Sequence, residues 1–123
     1  MIILVAEDNL ANQELVVDML EVLEHEVVVA ENGQRAVDIF KTQQIDLVLM
    51  DCGMPVKNGF QASLEIRTLE QSTGSAATPI IALTGNVDSG IENQCRSAGM
   101  NDYLAKPFVM ATLTSKLIQW RPN

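Results

Sequence analysis

Five short apolar runs punctuate the chain, at residues 2–6, 27–30, 47–50, 80–83 and 103–105. Their members are aliphatic or β-branched on successive residues and do not alternate with polar ones. Such runs read as strands buried on both faces of a parallel sheet. Longer amphipathic stretches separate them. Leu15, Val16, Met19, Leu20 and Leu23 form a stripe at helical spacing, capped by Asn9 or Asn12. Ala36, Val37 and Phe40 mark a second helix entered from Asn32-Gly33, and a third runs from Asn58 to about Leu69. A fourth, over residues 88–98, is the weakest: Ile91, Cys95 and Ala98 make a narrow stripe, and Gly90 lowers helicity. Met110, Leu113, Leu117 and Trp120 give a fifth, with Pro122 closing it.

Five β-α units in alternation imply an α/β fold, a doubly wound five-stranded parallel sheet with helices on both faces. The flavodoxin-like order 2-1-3-4-5 is the natural one, and it places ligands at the carboxyl ends of the strands. The length of 123 residues predicts a single domain over residues 1–123.

Composition narrows the function classes. A formal net charge of -8 argues against direct contact with nucleic acid or an anionic membrane surface, and suits a divalent cation or basic partners. Cys52 and Cys95 have neither metal-site spacing nor a disulfide framework, so a reducing, cytoplasmic setting is expected. There is no basic leader and no apolar run of membrane-spanning length, so a membrane is expected to matter only through a larger parent protein. His25, the lone histidine, falls between the first helix and second strand and reads as a surface turn residue.

The residues that follow the runs carry the chemistry. Glu7 and Asp8 follow the first, Asp51 the third, Thr84 the fourth and Lys106 the fifth. In a sheet of the predicted order these side chains converge on one edge. Three carboxylates in one crevice repel unless a cation joins them. Mg²⁺ takes one or two carboxylates together with waters and phosphate oxygens, which leaves room for a phosphoryl group. Asp51 can then act as a nucleophile toward phosphorus, with Lys106 a compact counter-charge and Thr84 a hydroxyl donor. Each position alone has a plainer structural use as a cap, a turn or a loop. Their joint occurrence at successive strand ends favours chemistry.

The segments ILVAEDN, LVLMDCGMPVKNGF, PIIALTGN and GMNDYLAKPF resemble bacterial response-regulator receiver domains of the CheY-like family, over essentially the whole chain. The style of these segments is most similar to receiver modules of hybrid sensor histidine kinases. The resemblance implies a phosphoacceptor domain of a two-component or phosphorelay system. It implies phosphorylation at Asp51 from the phosphohistidine of a histidine kinase or histidine phosphotransfer domain. Such a domain catalyses its own phosphorylation and dephosphorylation without being a turnover enzyme. Glu7, Asp8, Asp51 and the Gly53 carbonyl are implied as the Mg²⁺ site, Thr84, Gly85 and Lys106 as phosphate contacts, and Thr84 and Tyr103 as switch residues, with a cis bond before Pro107. Homodimerisation through the face of the fourth helix, fifth strand and fifth helix is a further expectation. Four positions depart from the commonest pattern. Gly85 stands where alanine is usual, Glu7 is long enough for its metal contact to run through water, and Gly53 with Asn86 occupies positions that tune dephosphorylation. A free-standing regulator is the alternative to an excised module. A phosphorylation-independent pseudo-receiver is disfavoured by the intact Asp51, Thr84 and Lys106, and an aspartate-nucleophile phosphatase by Gly53 in place of a second acid.

Overall fold

The computed structural model describes residues 1–85 and 90–121. Asn86, residues 88 and 89 of the expected fourth helix, and Pro122 lie outside that range. The described residues form β1 (Ile2–Ala6), α1 (Leu10–Val22), β2 (Glu26–Ala30), α2 (Gly33–Thr42), β3 (Leu47–Asp51), α3 (Gly59–Thr73), β4 (Ile80–Thr84), α4 (Ile91–Ser97), β5 (Asp102–Ala105) and α5 (Met110–Trp120). All strand pairs are parallel, in the order β2-β1-β3-β4-β5. The expected sheet is therefore the observed one. None of the helices among the described residues is long and apolar enough to cross a membrane.

The strand order determines which face each helix covers. From β1 the chain moves to β2 at one edge, then reverses and steps through β3, β4 and β5. A right-handed crossover places helices of opposite travel on opposite faces. Accordingly α1 and α5 cover one face, where Val16, Leu20, Leu113 and Leu117 pack on Ile3, Val5, Leu49 and Ile81. The helices α2, α3 and α4 cover the other, where Val37, Ile66 and Cys95 pack on Leu4, Val48, Met50 and Ala82. The central strands β3 and β4 are buried at every residue, which is why their sequences read as unbroken apolar runs.

Side chains fix the helix starts. Asn9, rather than Asn12, caps α1: its side chain accepts from the Asn12 N–H at 3.0 Å. Asn32 caps α2 in the same way through Arg35. Asn58 and Gln61 form a reciprocal capping box on α3, at 2.9 and 3.0 Å. That helix runs to Thr73, four residues past its expected end. The α1 stripe is narrower than its sequence suggests. Only Val16 and Leu20 are buried, whereas Leu15 points away and is 42% exposed. Residues 16 and 20 are one turn apart and meet the sheet together, while residue 15 sits about 100° round the helix from 16. His25 is half-buried, with its Nδ1 3.2 Å from the amino terminus of Met1.

Two close contacts set the geometry at the carboxyl edge and at β5. Gly59, the first residue of α3, lies directly against β3: a β-carbon there would stand 2.2 Å from the Asp51 carbonyl oxygen. At the sheet edge, β5 has only four residues and is bolted to α5 through Asp102. That carboxylate accepts from Lys116 Nζ at 3.0 and 2.8 Å, from Trp120 Nε1 at 2.9 Å and from the Tyr103 N–H at 2.8 Å. Burial alone would raise the Asp102 pKa, but Lys116, Trp120 and the Tyr103 amide outweigh it and hold the group below its ordinary 3.8.

Gly59→Ala is expected to push α3 off the end of β3 and to destabilise the fold by about 1–3 kcal/mol in urea unfolding. Asp102→Asn is expected to cost about 1.5–3 kcal/mol at neutral pH. Because the folded-state pKa is depressed, the ion pair contributes fully above the ordinary value of 3.8 and fades as pH falls through the folded value. Unfolding curves for wild type and Asp102→Asn should therefore draw together as pH falls below 3.8. A constant gap across that range would refute the assignment.

Candidate functional site

The carboxyl edge of the sheet gathers the charged residues that the strands themselves exclude. Glu7 is the first residue past β1, and its N–H continues the ladder onto the Ala30 carbonyl at 3.0 Å. It is completely buried. Its Oε1 accepts from the Asn9 N–H at 3.2 Å, and its carbonyl accepts from Gln13 Nε2 at 3.0 Å. Asp8 is exposed beside it. Asp51 is the last residue of β3 and 5% exposed, with the Gly53 N–H donating to its Oδ1 at 3.3 Å. Thr84 is the last residue of β4, likewise buried, and its carbonyl accepts the Lys106 N–H at 2.8 Å. Lys106, just past β5, brings Nζ within 3.1 Å of Glu7 Oε2 and 3.2 Å of Asp51 Oδ1. The Lys106-Pro107 bond is cis.

The electrostatics follow from burial and sign. Burial is the largest influence on Glu7 and raises its pKa, Asp51 raises it further, and Lys106 opposes both. For Lys106 burial alone would lower the pKa, but Glu7 and Asp51 together prevail and keep it above its ordinary value, a secure ammonium. Three carboxylates against one ammonium leave an excess of negative charge. Glu7 Oε2 is buried without an aligned hydrogen bond, although Lys106 Nζ is at ion-pair distance. One carboxylate oxygen each from Glu7, Asp8 and Asp51 lies within 4.8 Å of the others. Modest side-chain rotation brings such a set to the roughly 3–4 Å spacing of oxygens around one Mg²⁺. An under-satisfied buried oxygen and an uncompensated negative charge both suit a hard divalent cation.

The structure thus brings Glu7, Asp8, Asp51 and Lys106 into one cluster, with Thr84 and the exposed bend at Gly85 on the adjoining strand. The space above Gly53 is open: no atom lies within 4 Å of where its β-carbon would stand. Tyr103 is not part of the cluster. It pairs with Ala82 in the sheet, is half-buried and packs on the α2–α3–α4 face, beside Glu92, Cys95 and Arg96. Cys52 turns to that same face and packs on the core there. Burial first, then Cys95 and Asp51, push its thiol up to about 12, so it offers no thiolate nucleophile.

Some residues acquire a role that the sequence pattern does not reveal. Asn9 serves as a helix cap and also holds Glu7 through its backbone N–H. Gln13 fixes the same turn from inside α1. In the β3–α3 loop, the Lys57 N–H reaches back to the Pro55 carbonyl at 2.7 Å and holds Val56 at φ +68°, a conformation that branched side chains avoid. The cost is about 1–3 kcal/mol, and Val56 stands 82% exposed in this loop. Neighbouring Lys57 forms an ion pair with Glu65 of α3.

Comparison with known proteins identifies the family to which this fold belongs. Residues 3–118 match the response regulator receiver domain family. Over 118 residues the chain is 43% identical to the hybrid signal transduction protein dokA of Dictyostelium discoideum, covering 96% of this chain and 7% of that protein. Indeed the chain spans only between 5% and 13% of the length of the curated relatives it matches. It is also similar to the receiver domain of the Pseudomonas aeruginosa sensor histidine kinase PA1611, crystallised with a magnesium ion coordinated in its active-site cleft. There the TM-score is 0.87 at 44% identity, over 97% of this chain and 95% of that one. A TM-score of 0.94 at 32% identity relates it to a chain in the co-crystal of the Saccharomyces cerevisiae histidine phosphotransfer protein Ypd1 with the receiver domain of its downstream response regulator Ssk1, over 98% and 88% of the two chains. Sheet order, acidic edge and a family match running from the first strand into the last helix all point one way, and this chain belongs to the response regulator receiver domain family.

Proposed function

We propose that Asp51 is the phosphoacceptor of this receiver, taking a phosphoryl group from the phosphohistidine of a histidine kinase or a histidine phosphotransfer domain. The observation that carries this reading is the position of Lys106 Nζ, 3.2 Å from Asp51 Oδ1 and 3.1 Å from Glu7 Oε2, at the carboxyl edge of the sheet. An Asp51 oxygen attacks phosphorus, a new O–P bond forms, and the P–N bond breaks with its electron pair left on the imidazole. Lys106 neutralises charge on the transferring oxygens. Thr84 and the amide of Gly85 contact the phosphoryl oxygens from β4. Glu7, Asp8, Asp51 and the Gly53 carbonyl would hold Mg²⁺, which when bound supplies neutralising charge to the phosphoryl oxygens. Tyr103 and Thr84 then relay the change to the α4–β5–α5 face, where a target or a second copy of the chain reads it.

We read residues 1–123 as one receiver unit, and the small share of its relatives that it spans favours a module of a longer hybrid histidine kinase on the cytoplasmic side of a membrane. The named neighbours support the cofactor and donor classes: one receiver binds magnesium, and another pairs with a histidine phosphotransfer protein.

Asp51→Asn should accept no label from a radiolabelled phosphohistidine donor, and Lys106→Ala should transfer about 10²–10³-fold more slowly. Equal labelling of the Asp51→Asn chain would overturn the assignment. Mg²⁺ at a hundredfold excess over its dissociation constant should stabilise the chain by about 2.7 kcal/mol in thermal unfolding. The gain should shrink sharply in Asp51→Asn and in Asp8→Asn. A gain unaffected by both substitutions would place the ion elsewhere.

A further inference from the structure

The turn between α4 and β5 is held far more firmly than the helix that precedes it. Arg67 of α3 reaches that turn with a side chain only 17% exposed. Its Nε donates to the Gly99 carbonyl at 2.9 Å and its Nη2 to Asn101 Oδ1 at 2.8 Å. Its Nη1 donates to Glu70 Oε1 at 2.7 Å and to the Thr78 carbonyl at 2.8 Å. The partners are joined in turn to the start of β4. Glu70 Oε2 accepts the Thr78 N–H at 2.7 Å, and Asn101 Oδ1 accepts the Ile80 N–H at 2.8 Å. Asn101 also donates its N–H to the Ile80 carbonyl at 2.8 Å. Gly99 sits at φ +83°, and a β-carbon there would stand 2.8 Å from Arg67 Cγ, so the turn is fitted closely to this side chain. Asp102, next along, carries the clamp to α5.

The body of α4 has no comparable attachment among the described residues. It is seven residues long and buries Ile91 and Cys95. The ion pair it carries, Glu92–Arg96 at 3.1 Å, is well exposed at both ends and contributes little. Charge-assisted hydrogen bonds in a fixed fork are strong and directional, whereas a thin apolar stripe tolerates sliding.

We propose that Arg67 is the pivot of the conformational switch: it fixes Gly99–Asn101 to α3 and β4, so α4 swings about its carboxyl end instead of shifting together with the turn that follows. This rests on Asp51 being the phosphoacceptor, and it adds where the resulting motion stops. Arg67 lies outside the carboxylate cluster and acts only through position.

The test uses beryllium fluoride with Mg²⁺, a stable stand-in for a phosphoryl group on a carboxylate, with the fluorine spectrum reporting its binding. Amide hydrogen exchange is then compared with and without it. In the wild-type chain, exchange should change at residues 91–95 and stay nearly constant at 99–102. In Arg67→Met the turn amides should exchange roughly tenfold faster before any addition, and the response to bound fluoride should spread into 99–102. Asn101→Ser, which removes one arm of the Arg67 clamp together with the side-chain bond to the Ile80 N–H, should show the same trend more weakly and serves if Arg67→Met does not fold. Bound fluoride that alters 99–102 as much as 91–95 in wild type would overturn the pivot while leaving Asp51 as acceptor. So would an Arg67→Met response identical to wild type. Absence of any bound fluorine signal would overturn the Asp51 reading and the pivot with it.

Discussion

Charge can enter this sheet at little cost only where the strands end. Both faces of β3 and β4 are covered, and every residue along them is buried. An unpaired carboxylate in mid-strand would lose its hydration with no partner in reach. Glu7, Asp51 and Thr84 therefore come at or just past the last ladder position of their strands, each within reach of loop amides or of Lys106. The doubly wound order completes the arrangement, because it sets β1 beside β3 at the reversal and gathers the acidic residues from both. Fold and chemistry share one cause: a core too apolar to hold charge drives it to a common edge.

Within that edge Lys106 has two functions that pull in different directions. It contacts Glu7 and Asp51 and limits the rise in the Glu7 pKa, which makes the charged cluster tolerable. It cannot satisfy both carboxylates and Asp8 as well. Glu7 Oε2 stays buried without an aligned hydrogen bond, and the carboxylates still outnumber the ammonium. The site is thus stable enough to fold and unsatisfied enough to attract a cation and a phosphoryl group. Full neutralisation by a second lysine would remove that attraction.

Most of this was legible in the sequence because the relevant physics is local. Unbroken aliphatic runs mark doubly buried strands, and the first charged residue after each run marks the site edge. Asn32 and Asn58 announce their helices by capping chemistry that spans three residues. What could not be read depends on distant approach. Leu15 has the spacing of a core residue, yet nothing local tells that α1 turns Val16 and Leu20 fully into the core and leaves Leu15 outside it. The need for glycine at 59 arises from the Asp51 carbonyl, across the β3–α3 loop. Arg67 looks like any polar helix residue until Gly99 and Asn101, more than thirty positions away, close around it.

The ion pair between Glu7 and Lys106 joins the first strand end to the last, about a hundred residues apart in the chain, one of the longest loops the molecule can close. The entropy of closing such a loop must be met before the contact rewards it. A chain emerging from the ribosome acquires its carboxylates early and its ammonium only with β5. Until then the acidic edge lacks the counter-charge that makes it a site. The charge balance of the acidic edge therefore depends on the completion of the whole sheet.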